Sequence, residues 1–221
     1  MLRDITLIKG KIIFIIANEL AIKKKKRYIH SDLNRCFPGD KKGNNEEKIA
    51  AKLIQKLKMC DDVIDIHSTT AKTKNFIITT KKDNKTRQLI KSLNIVHVVF
   101  MEKQIAKQRA LIDYVQGVSL ECNKDTSAEM VKENILNILK YKGYINGYAK
   151  KVEQEWYSCY GMQYKTKKKY LLKNFKKIRI QKESFYPILY KETEYKEILC
   201  LKAKKRRNPD LNRDALAGQA H

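Results

Sequence analysis

Two guanidiniums and a carboxamide fall within nine residues of this chain, Arg27, Asn34 and Arg35 in the segment Arg27-Tyr28-Ile29-His30-Ser31-Asp32-Leu33-Asn34-Arg35-Cys36-Phe37-Pro38-Gly39. An arginine fork meets a carboxylate with two parallel charge-assisted hydrogen bonds, and an adjacent asparagine, donor and acceptor at one point, completes such a grip. The segment follows an apolar run at 12–17, and open α/β sheets hold ligands beyond the carboxyl ends of their strands. The same residues also suit a solvated polar loop. Two further candidates end short apolar stretches, His67 in 61–70 and Glu121 in 117–122. An imidazole at a strand end can reach a metal while Asp65 orients its surroundings, or it can bond to backbone. A glutamate between Leu120 and Cys122 can move protons or pair with a lysine.

Taken in order, Asn18, Arg27-Tyr28, Asp32-Leu33-Asn34-Arg35, Asp65-x-His67-x-Thr69-Thr70 and Gly117-x-x-x-Glu121 make a pattern that resembles the aspartoacylase and succinylglutamate desuccinylase family, a branch of the zinc-carboxypeptidase-like superfamily. The stretch 186–195, from Tyr186-Pro187 to Tyr195, is similar to that family's C-terminal tyrosine segment. The resemblance runs from about residue 10 to about residue 205. It implies that His67 is a metal ligand and Glu121 the general base. It implies that Arg27 polarises the scissile carbonyl and stabilises the oxyanion. Asn34 and Arg35 would then bind a substrate carboxylate, Tyr195 would donate to the bound substrate, and Arg109 would add a further carboxylate contact. The implied activity is zinc-dependent hydrolysis of the amide or ester bond of a small anionic N-acyl amino acid.

The family's zinc site takes two more ligands, a His and a Glu three residues later, from a loop upstream of the Asn-bearing strand. No His-x-x-Glu occurs in this sequence: Leu33, Thr70 and Phe100 stand three residues after His30, His67 and His97, and His221 is terminal. Catalytic zinc ordinarily has three protein ligands and an open position for water. One Zn2+ per chain is therefore expected only if the missing donors are supplied. The accounts open to the sequence are a chain whose beginning is missing, a non-catalytic carboxylate-binding relative, and completion of the site by a partner or another ligand set. The retained arginines, His67 and Glu121 favour the first, because charges kept together in a cleft are costly without something to pair them.

Composition bounds the rest. With 43% hydrophobic and 33% charged residues in 221, the chain can bury a real core. No apolar run approaches the roughly 20 residues that span a bilayer, so a membrane is not expected. Five cysteines without a Cys-x-x-Cys pair argue for reduced thiols in cytoplasm. The net charge of +24 raises a basic nucleic-acid-associated protein as a further alternative. Only nine of the 48 cations are arginine and the lysines spread along the whole chain, the pattern of solvated faces rather than of a nucleic-acid reader. A positive field does draw anionic substrates.

Elements must position these residues. The run 12–17 reads as a strand buried on both faces. Helices are expected over 45–60, 85–93 and 126–141, and strands over 63–67, 76–80, 95–101 and 117–122. This alternation predicts an α/β fold, a mixed central sheet flanked by helices, zinc-carboxypeptidase-like. The division expected is an α/β catalytic domain over 1–147 and a small β-rich C-terminal subdomain over 148–205, with β pieces at 169–172, 178–180 and 188–190. A disordered tail over 206–221 would follow, in which the second Asp-Leu-Asn-Arg, at 210–213, has no site role. His30 is expected as a solvated turn residue and His97 as a packed core histidine.

Overall fold

A computed structural model describes residues 5–102, 105, 107–123, 125–126 and 128–207; most of the expected tail, with its Asp210–Arg213 copy, lies outside them. Among the described residues four helices form, most of them where the sequence supplies a cap. Helix α1, Glu19–Lys23, begins at Asn18, whose side chain accepts from Ala21 N. Helix α2, Asn45–Leu57, carries a capping box in which Asn44 and Glu47 satisfy each other's backbone N–H groups, removing two of the orphan donors of a helix start. Asp83 caps α3, Asn84–Lys91, and α4 is Ala128–Tyr141.

Eight strands follow in chain order: β1 Val63–Thr69, β2 Phe76–Thr79, β3 His97–Met101, β4 Gly117–Asn123, β5 Glu155–Tyr164, β6 Ile178–Ile180, β7 Glu183–Ile188 and β8 Ile198–Arg206. They make one sheet in the order β1-β4-β2-β3-β5-β8-β7-β6. The pairs β1/β4, β2/β3 and β3/β5 are parallel, while β2/β4, β5/β8, β7/β8 and β6/β7 are antiparallel. The sheet is mixed and flanked by helices, as the sequence implies. Strands β5 and β8 continue it without a break, so the residues after 147 extend the same sheet.

Period-two alternation divides the core between the two faces. Ile77, Val98, Val118, Leu120 and Trp156 pack with Leu89, Ile90 and Ile138 of α3 and α4. Their neighbours Phe76, Val99 and Tyr157 turn to the other face, where Phe175, Ile188 and Leu189 of the C-terminal part cover them. Each fully buried side chain of this size stabilises by about 1.5–3 kcal/mol. His97 sits in the second layer, its ring 4.2 Å from that of Phe175, with burial holding its pKa down. It is a packed core histidine, as expected. No helix among the described residues is long and apolar enough to cross a membrane.

Several expected elements differ. The run 12–17 is irregular and open to solvent, with Phe14 62% and Ile16 65% exposed. A strand needs a ladder partner for its backbone groups, and among the described residues none lies beside it. The expected strand at 169–172 is irregular. The expected strand at 188–190 is the end of β7 and a turn with Leu189 at φ 55, a conformation that breaks the ladder. Strands β5 and β8 fall outside the β pieces expected after 147, because their tyrosines or lysines alternate with small or apolar residues that mask a simple pattern.

Candidate active site

The parallel pairing of β1 with β4 sets His67 directly opposite Glu121. Side chains of residues paired in this way emerge on one face. That face is the one opposite Leu120 and Cys122, hence the one toward the C-terminal segment. Gly117 permits this pairing: a Cβ there would lie 2.4 Å from Val63 O, so the glycine of the Gly-x-x-x-Glu pattern serves close approach of the two strands. His67 Nε2 is 2.8 Å from Asp65 Oδ2, two residues along the same strand face, which leaves Nδ1 as the nitrogen free to face the cleft. Burial lowers the imidazole's affinity for a proton, but the Asp65 carboxylate outweighs it and lifts the pKa to about 9. Burial pushes the Glu121 carboxyl up, against a downward pull from His67 and with a further push from Asp65 and Glu192. A carboxyl raised in this way keeps its proton more readily than an ordinary glutamate.

The arginine segment stands over this pair. Arg27 Nη2 donates to Asp32 Oδ2 at 3.0 Å, and Arg27 Nε lies 3.4 Å from Glu194 Oε2. Its guanidinium is felt by both His67 and Glu121. The other oxygen of Asp32 accepts from Asn34 N at 3.0 Å and caps the 3-10 turn Leu33–Arg35. One carboxylate thus ties the first guanidinium to the turn that carries the second. Arg35 is exposed and donates to the Asn34 carbonyl at 2.8 Å. Among the described residues Asn34 Oδ1 is buried with no hydrogen-bond partner, an acceptor left open to a donor that those residues do not supply.

The C-terminal segment closes the cluster. Glu192, 8% exposed, accepts from Thr69 Oγ1, from Thr70 Oγ1, from Thr70 N at 3.0 Å and from Ala71 N at 3.2 Å. These donors begin two residues after His67. Burial pushes this carboxyl up, but the hydrogen bonds prevail and hold its pKa down. Tyr195, whose N–H donates to Glu192 O at 3.1 Å, packs against the core. Burial raises its phenol, with Arg35 opposing and Glu121 adding to the rise, so it is a hydrogen-bond donor at neutral pH.

Of the seven residues singled out in the sequence, Arg27, His67, Glu121, Arg35 and Tyr195 therefore lie near enough for charge on one to act on another, and Asn34 sits beside Arg35, which donates to its carbonyl. Arg109 does not join them; it is exposed in the irregular segment before the 3-10 turn Leu111–Asp113. His30 is a largely exposed loop residue, as expected. Sequence reasoning assigned no task to Asp32, Glu46, Glu192 or Glu194. Among the described residues no three His, Cys, Asp or Glu side chains stand together as a group that could hold a metal ion. His67 alone, with Asp65 engaged on its Nε2, does not make a zinc site.

A family model, the succinylglutamate desuccinylase/aspartoacylase catalytic domain, matches residues 2–135. Among curated proteins none matches by sequence. Solved structures share the fold. Murine aminoacylase 3 superposes with a TM-score of 0.65 at 18% identity, over 87% of this chain and 82% of its own. Succinylglutamate desuccinylase from Vibrio parahaemolyticus gives 0.65 at 13% identity, over 87% and 70%. A succinylglutamate desuccinylase/aspartoacylase from Rhodobacter sphaeroides gives 0.57 at 17%, over 86% of this chain and 66% of that protein's length, so this chain spans just under two thirds of it.

Proposed function

Because the chain belongs to the succinylglutamate desuccinylase/aspartoacylase family, we propose that it acts on a small carboxylate-bearing N-acyl amino acid, as an amide or ester hydrolase. The observation that carries this reading is the in-register pairing of His67 with Glu121 inside the field of Arg27. In it Asn34 and Arg35 hold a substrate carboxylate, and the unpartnered Asn34 Oδ1 accepts an N–H of the ligand. Arg27 polarises the scissile carbonyl; losing a preorganised oxyanion donor typically costs on the order of 100- to 1,000-fold in rate. Glu121 takes a proton from the attacking water and returns it to the leaving amine. The Tyr195 hydroxyl donates to the bound substrate. The surplus positive charge of the chain draws anions to the cleft, and the cytoplasm, with its small acylated amino acids, is the proposed location.

Zinc is the metal the resemblance implies, and the described residues do not fit it. One zinc per chain needs two donors from outside them. This deficit favours a second reading for the 221-residue form, a module that grips carboxylates without hydrolysing them. The test is to incubate the purified chain with N-succinylglutamate and N-acetyl amino acids, with and without added zinc, while measuring binding by calorimetry. Hydrolysis that Glu121→Ala abolishes while binding persists supports the enzyme. Saturable binding with no turnover under either condition supports the binding module. Absence of both would refute the site.

A further inference from the structure

Glu46 is a carboxylate that neither reading above employs. It stands in the first turn of α2, where a glutamate ordinarily faces water and complements the helix dipole, yet it is 0% exposed. Its neighbour Glu47 does the ordinary work by closing the capping box with Asn44. Glu46 instead turns away from the helix and into the arginine segment. Its Oε1 accepts from Ile29 N at 2.7 Å and from Asn18 Nδ2 at 3.0 Å. Its Oε2 accepts from His30 N at 3.1 Å and from Ser31 N at 3.4 Å. Three successive backbone N–H groups thus converge on one carboxylate, a nest of the sort that binds anions, here filled from within the chain. Asn18, the fourth partner, is itself fixed by capping α1.

Residues 29–31 are the stretch between Arg27 and the Asp32–Arg35 turn. Whatever fixes their backbone fixes how far the two guanidiniums stand apart and where the Asn34 amide points. We propose that Glu46 is the positioning residue of the carboxylate grip, an internal anion that holds residues 29–31 so that Arg27, Asn34 and Arg35 converge. The inference rests on the carboxylate-binding reading and goes beyond it by naming what preorganises the site. Burial pushes the Glu46 carboxyl up, but the bonds from Ile29, Asn18 and His30 hold its pKa down to about 2, so it is charged whenever the protein is folded near neutral pH. Glu46→Gln replaces one acceptor oxygen by an amide N–H, which faces backbone donors and cannot accept from them.

The test uses the isotope-labelled 221-residue chain as wild type, E46Q, R35A and the double variant, with N-succinylglutamate as probe. Two quantities are measured: hydrogen exchange at the amides of Ile29, His30 and Ser31, and Kd by NMR titration. In E46Q the three amides are expected to lose protection while those of β1 and β4 keep theirs. Kd is expected to weaken on the order of tenfold, the scale of a sub-ångström misplacement of a binding group. In the R35A background the same substitution should change Kd little, because the grip it organises is already broken. Should E46Q fail to fold, Glu46→Asp, which keeps the charge but withdraws it by one methylene, carries the same comparison. Wild-type binding that E46Q leaves intact, or weakens equally with and without Arg35, overturns the role of Glu46 alone. Failure of the wild type to bind overturns the carboxylate reading and this inference together.

Discussion

Replacing Glu192 by alanine should loosen the end of β1 and the Tyr195 segment at once, and its cost can be worked out from the partners. The carboxylate serves two hydroxyls, of Thr69 and Thr70, and three backbone N–H groups, of Thr70, of Ala71 and, at 3.5 Å, of the exposed Glu194, which water can serve in its place. Ala71 N keeps an alternative acceptor in Thr69 Oγ1 at 3.1 Å, and the Thr70 hydroxyl keeps Thr193 Oγ1 at 2.9 Å. Two donors lose their buried acceptor, Thr70 N and the Thr69 hydroxyl. At about 1–3 kcal/mol for each donor left unsatisfied, the expected loss is roughly 3 kcal/mol. For a chain of this size each kcal/mol moves Tm by about 2–4 °C, so Glu192→Ala should melt roughly 6–12 °C below wild type. Glu192→Gln, which retains one acceptor oxygen, should fall about halfway. Differential scanning calorimetry measures the shift, and hydrogen exchange at Thr70 locates it. A Tm within about 2 °C of wild type, with Thr70 exchange unchanged, would refute the argument that this carboxylate clasps the two segments.

Three other outcomes follow from the same geometry. Gly117→Ala places a methyl against Val63 O, 2.4 Å away; overpacking of this kind costs typically 1–3 kcal/mol, and the lowered Tm should come with loss of protection in β1 and β4 rather than in β7 and β8. Acid should destabilise the fold through Glu46 and Glu192, both of whose pKa values are depressed on folding. A depressed carboxyl contributes fully above its unfolded pKa and loses that contribution as pH falls. For Glu46 the window runs from 4.5 down to about 2, worth about 3 kcal/mol in all, of which roughly 2 kcal/mol is lost between pH 6 and pH 3; urea titrations over that range should show about 2 kcal/mol less loss in E46Q than in wild type. Metal analysis of the purified 221-residue chain should find well under one zinc per chain, and a tightly held stoichiometric zinc would show that donors beyond the described residues complete the site.

What the sequence made legible, and what it hid, divides along the range over which each residue finds its partner. His67 and Glu121 could be placed because each ends a short apolar stretch, and strand periodicity is a local signal. Helix α2 could be read because its apolar stripe and the polar residues at its start are local signals too. The run 12–17 was misread for the converse reason: its apolar residues announce a strand, but a strand exists only with a neighbour, and the sequence does not say whether one is present. Glu46 and Glu192 escaped because their partners lie 15 to 28 and about 122 residues away. Nothing in their immediate neighbours sets them apart from surface glutamates among 48 cations. Both do the same physical work. Each is a buried anion that gathers backbone N–H groups of a loop next to the cleft, Glu46 at residues 29–31 and Glu192 at residues 70–71. His67 and Glu121 stand on β1 and β4, but the guanidiniums and the amide that would grip a carboxylate stand on a loop, because loops can present them. Loops lack a ladder to hold their backbone, so an internal carboxylate supplies the acceptors that a neighbouring strand would otherwise provide. A cleft meant for anions is thus shaped by two anions of the chain's own, placed behind the guanidiniums and the imidazole rather than among them.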